Sequence, residues 1–205
     1  MAFGMRWLYR AWYRWGTPPW VIGPREELVS LVDAGDVPPG SALDLGCGVG
    51  DNSVFLAARG FEVVGVDYAD SAVARARLNA AGRGVAVDFR VADVTSMPEV
   101  EGPFDLIVDY GTFDDLPEEN RPACYAEILR VSRPGTRLLL WCFEHPPGRW
   151  APLTRLVFGG TGSVRPGEIE QTFGPSFDVE RIANGSTGMR IQPSWACYLM
   201  TRKIT

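Results

Sequence analysis

Four aspartates, Asp44, Asp67, Asp93 and Asp109, each stand at or near the end of a short apolar run. In an alternating α/β chain such runs are buried strands, and their carboxyl ends are where ligands sit. Carboxylates there can accept hydrogen bonds from hydroxyl and amino groups or balance a cation. Asp44 leads into Gly46-Cys47-Gly48-Val49-Gly50, with Asp51 next. The spacing reads as a strand, a tight turn and a helix starting near Asp51. Glycines tolerate positive φ in the turn and let a ligand approach the backbone closely. The pattern is G-x-G-x-G rather than the G-x-G-x-x-G of a dinucleotide turn, whose last glycine packs helix on strand. A carboxylate at the mouth of this turn repels a pyrophosphate and attracts an ammonium or sulfonium group.

S-adenosylmethionine carries both cations, so the electrostatics favour it over NAD. The same residues resemble motif I of the class I S-adenosylmethionine-dependent methyltransferases, and the series continues in order over roughly residues 24 to 143. Phe61 to Asp67 resembles the second strand with its terminal acid, Val91-Ala92-Asp93-Val94 the loop after strand three, and Phe104 to Asp109 strand four. Arg133-Pro134-Gly135-Thr136 resembles the turn into strand five. The resemblance implies that Asp67 accepts both ribose hydroxyls, that Tyr68 flanks the adenine and that Asp93 faces its amino group. Asp44, Gly46, Cys47, Gly48, Gly50, Val94, Asp109 and Tyr110 complete the implied cofactor contacts. Pro19-Trp20-Val21-Ile22-Gly23 is similar to the aromatic lead-in of the thiopurine methyltransferase-like group, which implies a cofactor contact for Trp20; Val21 replaces the usual acid.

Methyl transfer from a sulfonium is an in-line displacement, so a protein must chiefly hold the nucleophile and the methyl carbon in line. A base is needed only where the nucleophile keeps its proton. His145, the one histidine, follows the fifth strand at the acceptor end, with an ordinary pKa suited to proton removal. Glu144 and Asp109 are the other candidate bases, and a plain loop position beside Pro146-Pro147 is the competing reading of His145. Tyr9, Trp12, Tyr13, Thr112, Asp114 and Trp150 are candidate acceptor contacts; packing competes for the aromatic residues, and helix capping or solvation for Asp114 and Asp115. The segment after Asp109 departs from the Asn-Pro-Pro-Tyr pattern of adenine and glutamine N-methylating members. Asp109, Asp114, Asp115 and Glu144 could gather a magnesium ion, but the metal motif of catechol-type members is not recognisable, and no metal is expected.

These positions need a scaffold. Arg25 to Ala34, Asp51 to Arg59, Asp70 to about Ala81 and Glu118 to Val131 read as helices, with Asp70 an N-cap. Val85 to Phe89 alternates as a strand, Pro166 to Gln171 restarts a short helix, and Phe177 to Ile182 and Ser194 to Met200 read as closing strands. The expected fold is a Rossmann-like α/β domain. Strand–helix alternation gives a mostly parallel sheet with helices on both faces, and the resemblance implies seven strands with the last inserted antiparallel beside strand five. Residues 1–23, with four of the seven tryptophans, form an aromatic cap, 24–143 the cofactor core, 144–167 an acceptor-side insertion and 168–205 the closing elements. The cap either packs on the core, closes over the ligands or lies on a membrane surface.

The 205 residues suffice for one domain with a real core. A net charge of −5 argues against a nucleic-acid partner. No run spans a membrane and no signal-peptide pattern opens the chain, which gives a cytoplasmic default. The four cysteines form no C-x-x-C pair and read as reduced buried thiols. The expected activity is methylation of a small-molecule acceptor, most readily at a hydroxyl of a sugar or natural product, with S-adenosylhomocysteine released. S- or N-methylation of a small thiol or amine and a catalytically silent cofactor binder are the alternatives. An NAD(P) oxidoreductase lacks support, because Lys203, the sole lysine, cannot complete a Tyr-x-x-x-Lys pair. Exposed aromatics near the N-terminus could support a homodimer.

Overall fold

The computed structural model describes residues 13–16, 21–144, 162–186 and 194–204. Its centre is a seven-stranded sheet in the order β3-β2-β1-β4-β5-β7-β6. The strands are β1 (Ser41–Leu45), β2 (Glu62–Asp67), β3 (Asp88–Val91), β4 (Phe104–Tyr110), β5 (Ser132–Glu144), β6 (Phe177–Ser186) and β7 (Ser194–Arg202). The first five pair in parallel, and β7 inserts antiparallel between β5 and β6. The helices are α1 (Glu26–Asp33), α2 (Asp51–Ala57), α3 (Asp70–Arg83), α4 (Arg121–Arg130) and α5 (Glu168–Phe173).

Strand alternation distributes the core. In β1, Leu43 and Leu45 face one side, where Cys124 and Ile128 of α4 and Ile169 and Phe173 of α5 cover the sheet. Ala42 faces the other, with Leu28 and Leu31 of α1 and Phe55 and Leu56 of α2. The central strands are buried on both faces, so their sequences are nearly continuous apolar runs. Asp44 is therefore conspicuous: a carboxyl 2% exposed inside such a run.

Two local readings shift. Pairing of β3 with β2 begins at Asp88, opposite Val64, and runs to Val91. The alternating Val85 and Val87 instead pack beside α3 and Phe89 without joining the ladder. Asp70 is the first helical residue of α3, Ala69 holds the cap position, and the Asp70 carboxylate accepts from the Ser71 N–H at 3.0 Å. Both are end effects of the kind sequence periodicity resolves poorly.

The topology places β1 beside β4 at the centre, with the chain turning to opposite sides after each. A crevice opens at the carboxyl ends of these strands, at the switch point where doubly wound sheets bind ligands. Among the described residues no helix is long and apolar enough to cross a membrane.

Candidate active site

The turn after β1 builds the floor. Gly46, Gly48 and Gly50 all have positive φ, +64°, +55° and +80°. At Gly46 a Cβ would fall 2.0 Å from the Thr112 hydroxyl oxygen, and at Gly48 one would fall 2.8 Å from the Tyr13 hydroxyl. The turn is thus bare backbone facing the crevice. Asp67, at the end of β2, fastens it: one carboxylate oxygen accepts from the Gly48 N–H at 2.9 Å and the other from the Ala69 N–H at 2.8 Å. Gly50 departs from its expected role. It does not line the crevice; a Cβ there would lie 2.7 Å from the Phe89 ring and 3.0 Å from Ala76 Cβ. It lets α2 approach α3 and β3, the packing task that the sequence reading gave only to the last glycine of a dinucleotide turn.

The walls are acidic. Asp44, Asp51, Asp67, Asp93, Asp114 and Asp115 line the crevice, and Arg25 is the one cationic residue doing so among the described residues. Asp44 accepts a 2.6 Å hydrogen bond from the Ser53 hydroxyl. Burial, reinforced by the neighbouring Asp67, raises the Asp44 pKa to about 7 despite that bond. Burial likewise lifts Asp67 to about 6, against its two backbone donors. Among the described residues no cationic side chain pairs with Asp44 or Asp67, and a positively charged ligand would offset their burial. Cys47 also lines the crevice; burial first, then Asp44 and Asp67, push its thiol far up, so it is not a nucleophile.

Tyr13, Tyr68, Val94, Tyr110 and Thr112 line the crevice as expected, with Asp93 accepting from the Thr95 N–H at 3.0 Å and its hydroxyl at 2.7 Å. Asp109 does not reach it. Fully buried, its Oδ1 accepts the Thr112 and Phe113 N–H groups at 2.9 and 3.1 Å and so folds the loop after β4. Burial raises its pKa to about 7. Asp109 thus shapes the loop from beneath the crevice, and its Oδ2 is buried without a hydrogen-bond partner among the described residues.

Glu144 is also corrected. It receives two hydrogen bonds from Arg181, at 2.8 and 3.0 Å, and one from the Tyr198 hydroxyl at 2.5 Å. It does not line the crevice, so it is no catalytic base. Alternation along β5 sends Phe143 to the crevice and Glu144 to the opposite face. Arg181→Met is expected to cost about 2–3 kcal/mol in urea unfolding, below the range for a fully buried pair because the Arg181 side chain is 33% exposed. Cofactor affinity is expected to stay unchanged in the same variant. Among the described residues no three His, Cys, Asp or Glu side chains gather as a metal site. His145, Trp20, Tyr9, Trp12 and Trp150 lie outside the described residues.

The sequence reading missed Arg25. Its guanidinium lies over the Tyr110 ring, 4.4 Å from the centroid, and Tyr110 stacks on Trp141 at 5.1 Å. The Tyr110 hydroxyl donates to Glu27. The Arg25 N–H donates to Asn52 Oδ1 at 3.1 Å, tying the start of α1 to α2. Only the tertiary placement of α1 over the switch point brings Arg25 here; in sequence it is one arginine among nineteen.

Fold and crevice together define a Rossmann-like α/β domain with an acidic crevice at its switch point. A sequence model of the methyltransferase domain matches residues 42–135. The chain is 37% identical over 129 residues to a 2-heptyl-1-hydroxyquinolin-4(1H)-one methyltransferase of Mycobacteroides abscessus, covering 62% of this chain and 56% of the relative. It is 34% identical over 139 residues to a demethylmenaquinone methyltransferase of Thermus thermophilus, covering 66% and 62%. The matches therefore span less than two thirds of these relatives' lengths. Among solved structures, a protein described for converting a disulfide bond into a thioacetal group during echinomycin biosynthesis superposes with a TM-score of 0.78 at 25% identity, over 97% of this chain and 93% of that one. Magnesium protoporphyrin IX methyltransferase of Synechocystis, with bound S-adenosylmethionine, shares the fold at a TM-score of 0.64 and 22% identity, over 86% and 76%. Residues 42–135 thus match a methyltransferase domain, and the chain has the fold of the class I S-adenosylmethionine-dependent methyltransferases.

Proposed function

We propose that the protein transfers a methyl group from S-adenosylmethionine to a hydroxyl of a small-molecule acceptor. The observation that carries the cofactor assignment is the bare glycine turn set among carboxyls, Asp44 and Asp67, whose pKa values burial raises. S-adenosylmethionine supplies an activated methyl group on a sulfonium sulfur. Asp67 would hold the ribose with its remaining lone pairs, and Gly46 to Gly48 would lie against the nucleoside. Tyr68, Asp93 and Val94 would frame the adenine. Asp44 would face the cationic end. Arg25, steadied on the Tyr110 face, suits a carboxylate.

The hydroxyl assignment rests on the far end of the crevice, where Gly111, Thr112, Asp114, Leu116 and Phe143 meet. That end holds carboxyls and no cation among the described residues, so anionic acceptors are disfavoured and hydrogen-bond donors favoured. Relatives named for a hydroxyquinolinone, a demethylmenaquinone and tocopherol act on ring compounds, in keeping with the aromatic Phe143 wall. Incubation with labelled S-adenosylmethionine and a panel of hydroxyl, thiol and amine metabolites, read by mass spectrometry, tests the assignment. A gain of one methyl on hydroxyl compounds supports it, and methylation confined to thiols or amines contradicts it.

Cofactor binding is expected to depend on pH with a definite sign. Asp44 and Asp67 have folded-state pKa values above their unfolded ones, so below about 7 the ligand-free protein holds extra protons. A cationic ligand lowers both values and releases protons. Affinity then rises with pH, by up to about tenfold per unit for each proton released, and levels above about 7. By the same linkage the ligand-free fold gains stability as pH falls from about 7 towards 4. Calorimetry in buffers of different ionisation enthalpy counts the protons; uptake instead of release would refute the sign.

A further inference from the structure

Among the described residues two carboxyls, Asp109 and Asp114, keep a buried oxygen without a hydrogen-bond partner, and of the two only Asp114 lines the crevice. It is 1% exposed, yet it lines the acceptor end of the crevice. Its Oδ2 accepts the Phe143 N–H from β5 at 2.8 Å, which fixes the carboxyl plane. Its Oδ1 is buried without a hydrogen-bond partner among the described residues. A buried acceptor left unpaired is unfavourable, and native structures tolerate one mainly where a ligand completes it. The open side of Gly111 gives the direction: a Cβ there would lie 3.9 Å from Asp114 Oδ1 and 4.0 Å from the Trp141 indole. The bare Gly111 backbone thus leaves a methyl-sized gap between the orphan oxygen and the Trp141 indole, enough for a small polar group such as a hydroxyl to approach Oδ1.

The surroundings make this carboxyl unusually basic. Burial, followed by the charges of Asp115 and Asp109, raises it well above its ordinary range, against the Phe143 N–H. From β5 the neighbouring titratable group is Cys142, whose thiol is itself pushed up. From α4, Arg121 approaches, but its Nη2 donates to the Asp114 backbone oxygen at 3.0 Å and its Nη1 pairs with Glu168 of α5. That arginine therefore positions the loop and does not neutralise the carboxylate.

We propose that Asp114 is the catalytic base, and that it selects an acceptor of one class: a flat ring bearing a hydroxyl that keeps its proton at neutral pH. The inference rests on the methyltransferase reading above. In the step, the acceptor O–H bond breaks and its proton passes to Asp114 Oδ1. The oxygen's electron pair forms the new O–CH3 bond as the methyl carbon leaves sulfur, whose bond pair stays on the resulting neutral thioether. Carboxylate, phenol and sulfonium become carboxylic acid, ether and thioether, and the proton on Asp114 later returns to water. Thiols and pre-ionised phenols need no such base, so the residue distinguishes acceptors by acidity.

The test uses the full chain and its Asp114→Asn variant, which keeps the size and can still accept from Phe143. The probes are 4-methylphenol, which keeps its proton at mildly alkaline pH as tyrosine does, and 4-nitrophenol, which is largely ionised there. In single-turnover assays the variant is expected to lose about 10²–10⁴-fold with 4-methylphenol and little with 4-nitrophenol. The wild-type rate with 4-methylphenol should rise with pH to a plateau, and the variant's should keep rising. A second readout needs no turnover: binding of protonated 4-nitrophenol to the S-adenosylhomocysteine complex, followed by its absorbance, should weaken about tenfold in the variant through loss of the Oδ1 acceptor. Equal losses with both phenols, or unchanged binding, would overturn the base assignment. Cofactor binding without methylation of either phenol would overturn the acceptor class. Failure of the wild type to bind S-adenosylmethionine would instead remove the methyltransferase reading beneath it.

Discussion

Asp67→Ala is expected to weaken S-adenosylmethionine binding by about 10²–10³-fold. Each oxygen of this carboxylate already receives a backbone N–H, from Gly48 at 2.9 Å and Ala69 at 2.8 Å. Removing it leaves two donors without their acceptor and loosens the turn that faces the nucleoside. It also deletes the acceptor proposed for the ribose hydroxyls. Hydrogen bonds to a charged partner contribute roughly 1.5–3 kcal/mol each, and about 1.4 kcal/mol is a factor of ten in affinity. Loss of two such bonds to the ligand, at about 1.5–2 kcal/mol each, gives the stated range. Asp67→Asn, which retains one acceptor oxygen, should fall between the two. Stability should respond less than affinity, because burial raises the Asp67 pKa and the ligand-free protein gains from losing that charge. Titration calorimetry of the variants measures the first effect, and thermal unfolding the second. Wild-type affinity in Asp67→Ala would show that the nucleoside sits elsewhere.

Gly50→Ala carries the second large effect, on stability. Two costs combine there. The backbone at φ +80° is left-handed, which costs a residue with a Cβ about 1–2 kcal/mol. The new methyl would also sit 2.7 Å from the Phe89 ring, 3% exposed, and 3.0 Å from Ala76 Cβ, fully buried. Neither neighbour is the free end of a flexible side chain, so the core must shift, at about 1–3 kcal/mol more. A loss of about 2–5 kcal/mol follows. Gly60→Ala separates the terms: its φ is +87°, yet the nearest neighbour of a new Cβ is Pro39 at 3.8 Å. That variant should show only the backbone cost. Equal losses in urea unfolding would mean that packing against Phe89 contributes nothing.

The alternation of strand and helix was legible because it is written in apolar periodicity, and the antiparallel β7 came from the family resemblance. The cofactor half of the site was legible for a different reason. Asp44 and Asp67 interrupt or end apolar runs, and a charge in a buried strand needs a purpose. Asp109 looked equivalent in sequence, but its neighbours in space are the N–H groups of its own following loop, a contact no spacing rule announces. Glu144 misled for a simpler reason: it ends β5 at the correct end of the sheet, and one step of alternation decides between the crevice and Arg181. Gly50 shares a motif with Gly46 and Gly48 yet faces the core, because the helix has already begun one residue later. Arg25 and the unpaired oxygen of Asp114 are products of tertiary approach alone. Arg25 needs α1 laid across the switch point, and Asp114 needs β5 to supply its Phe143 N–H.

Titration calorimetry of the full chain with S-adenosylmethionine, S-adenosylhomocysteine and NADH probes the acidic nucleoside crevice most directly. Saturable one-to-one binding of both sulfur nucleosides, with proton release below pH 7 for the sulfonium form and no heat from NADH, is the predicted result. Binding of NADH in their place, or silence from all three, would contradict it.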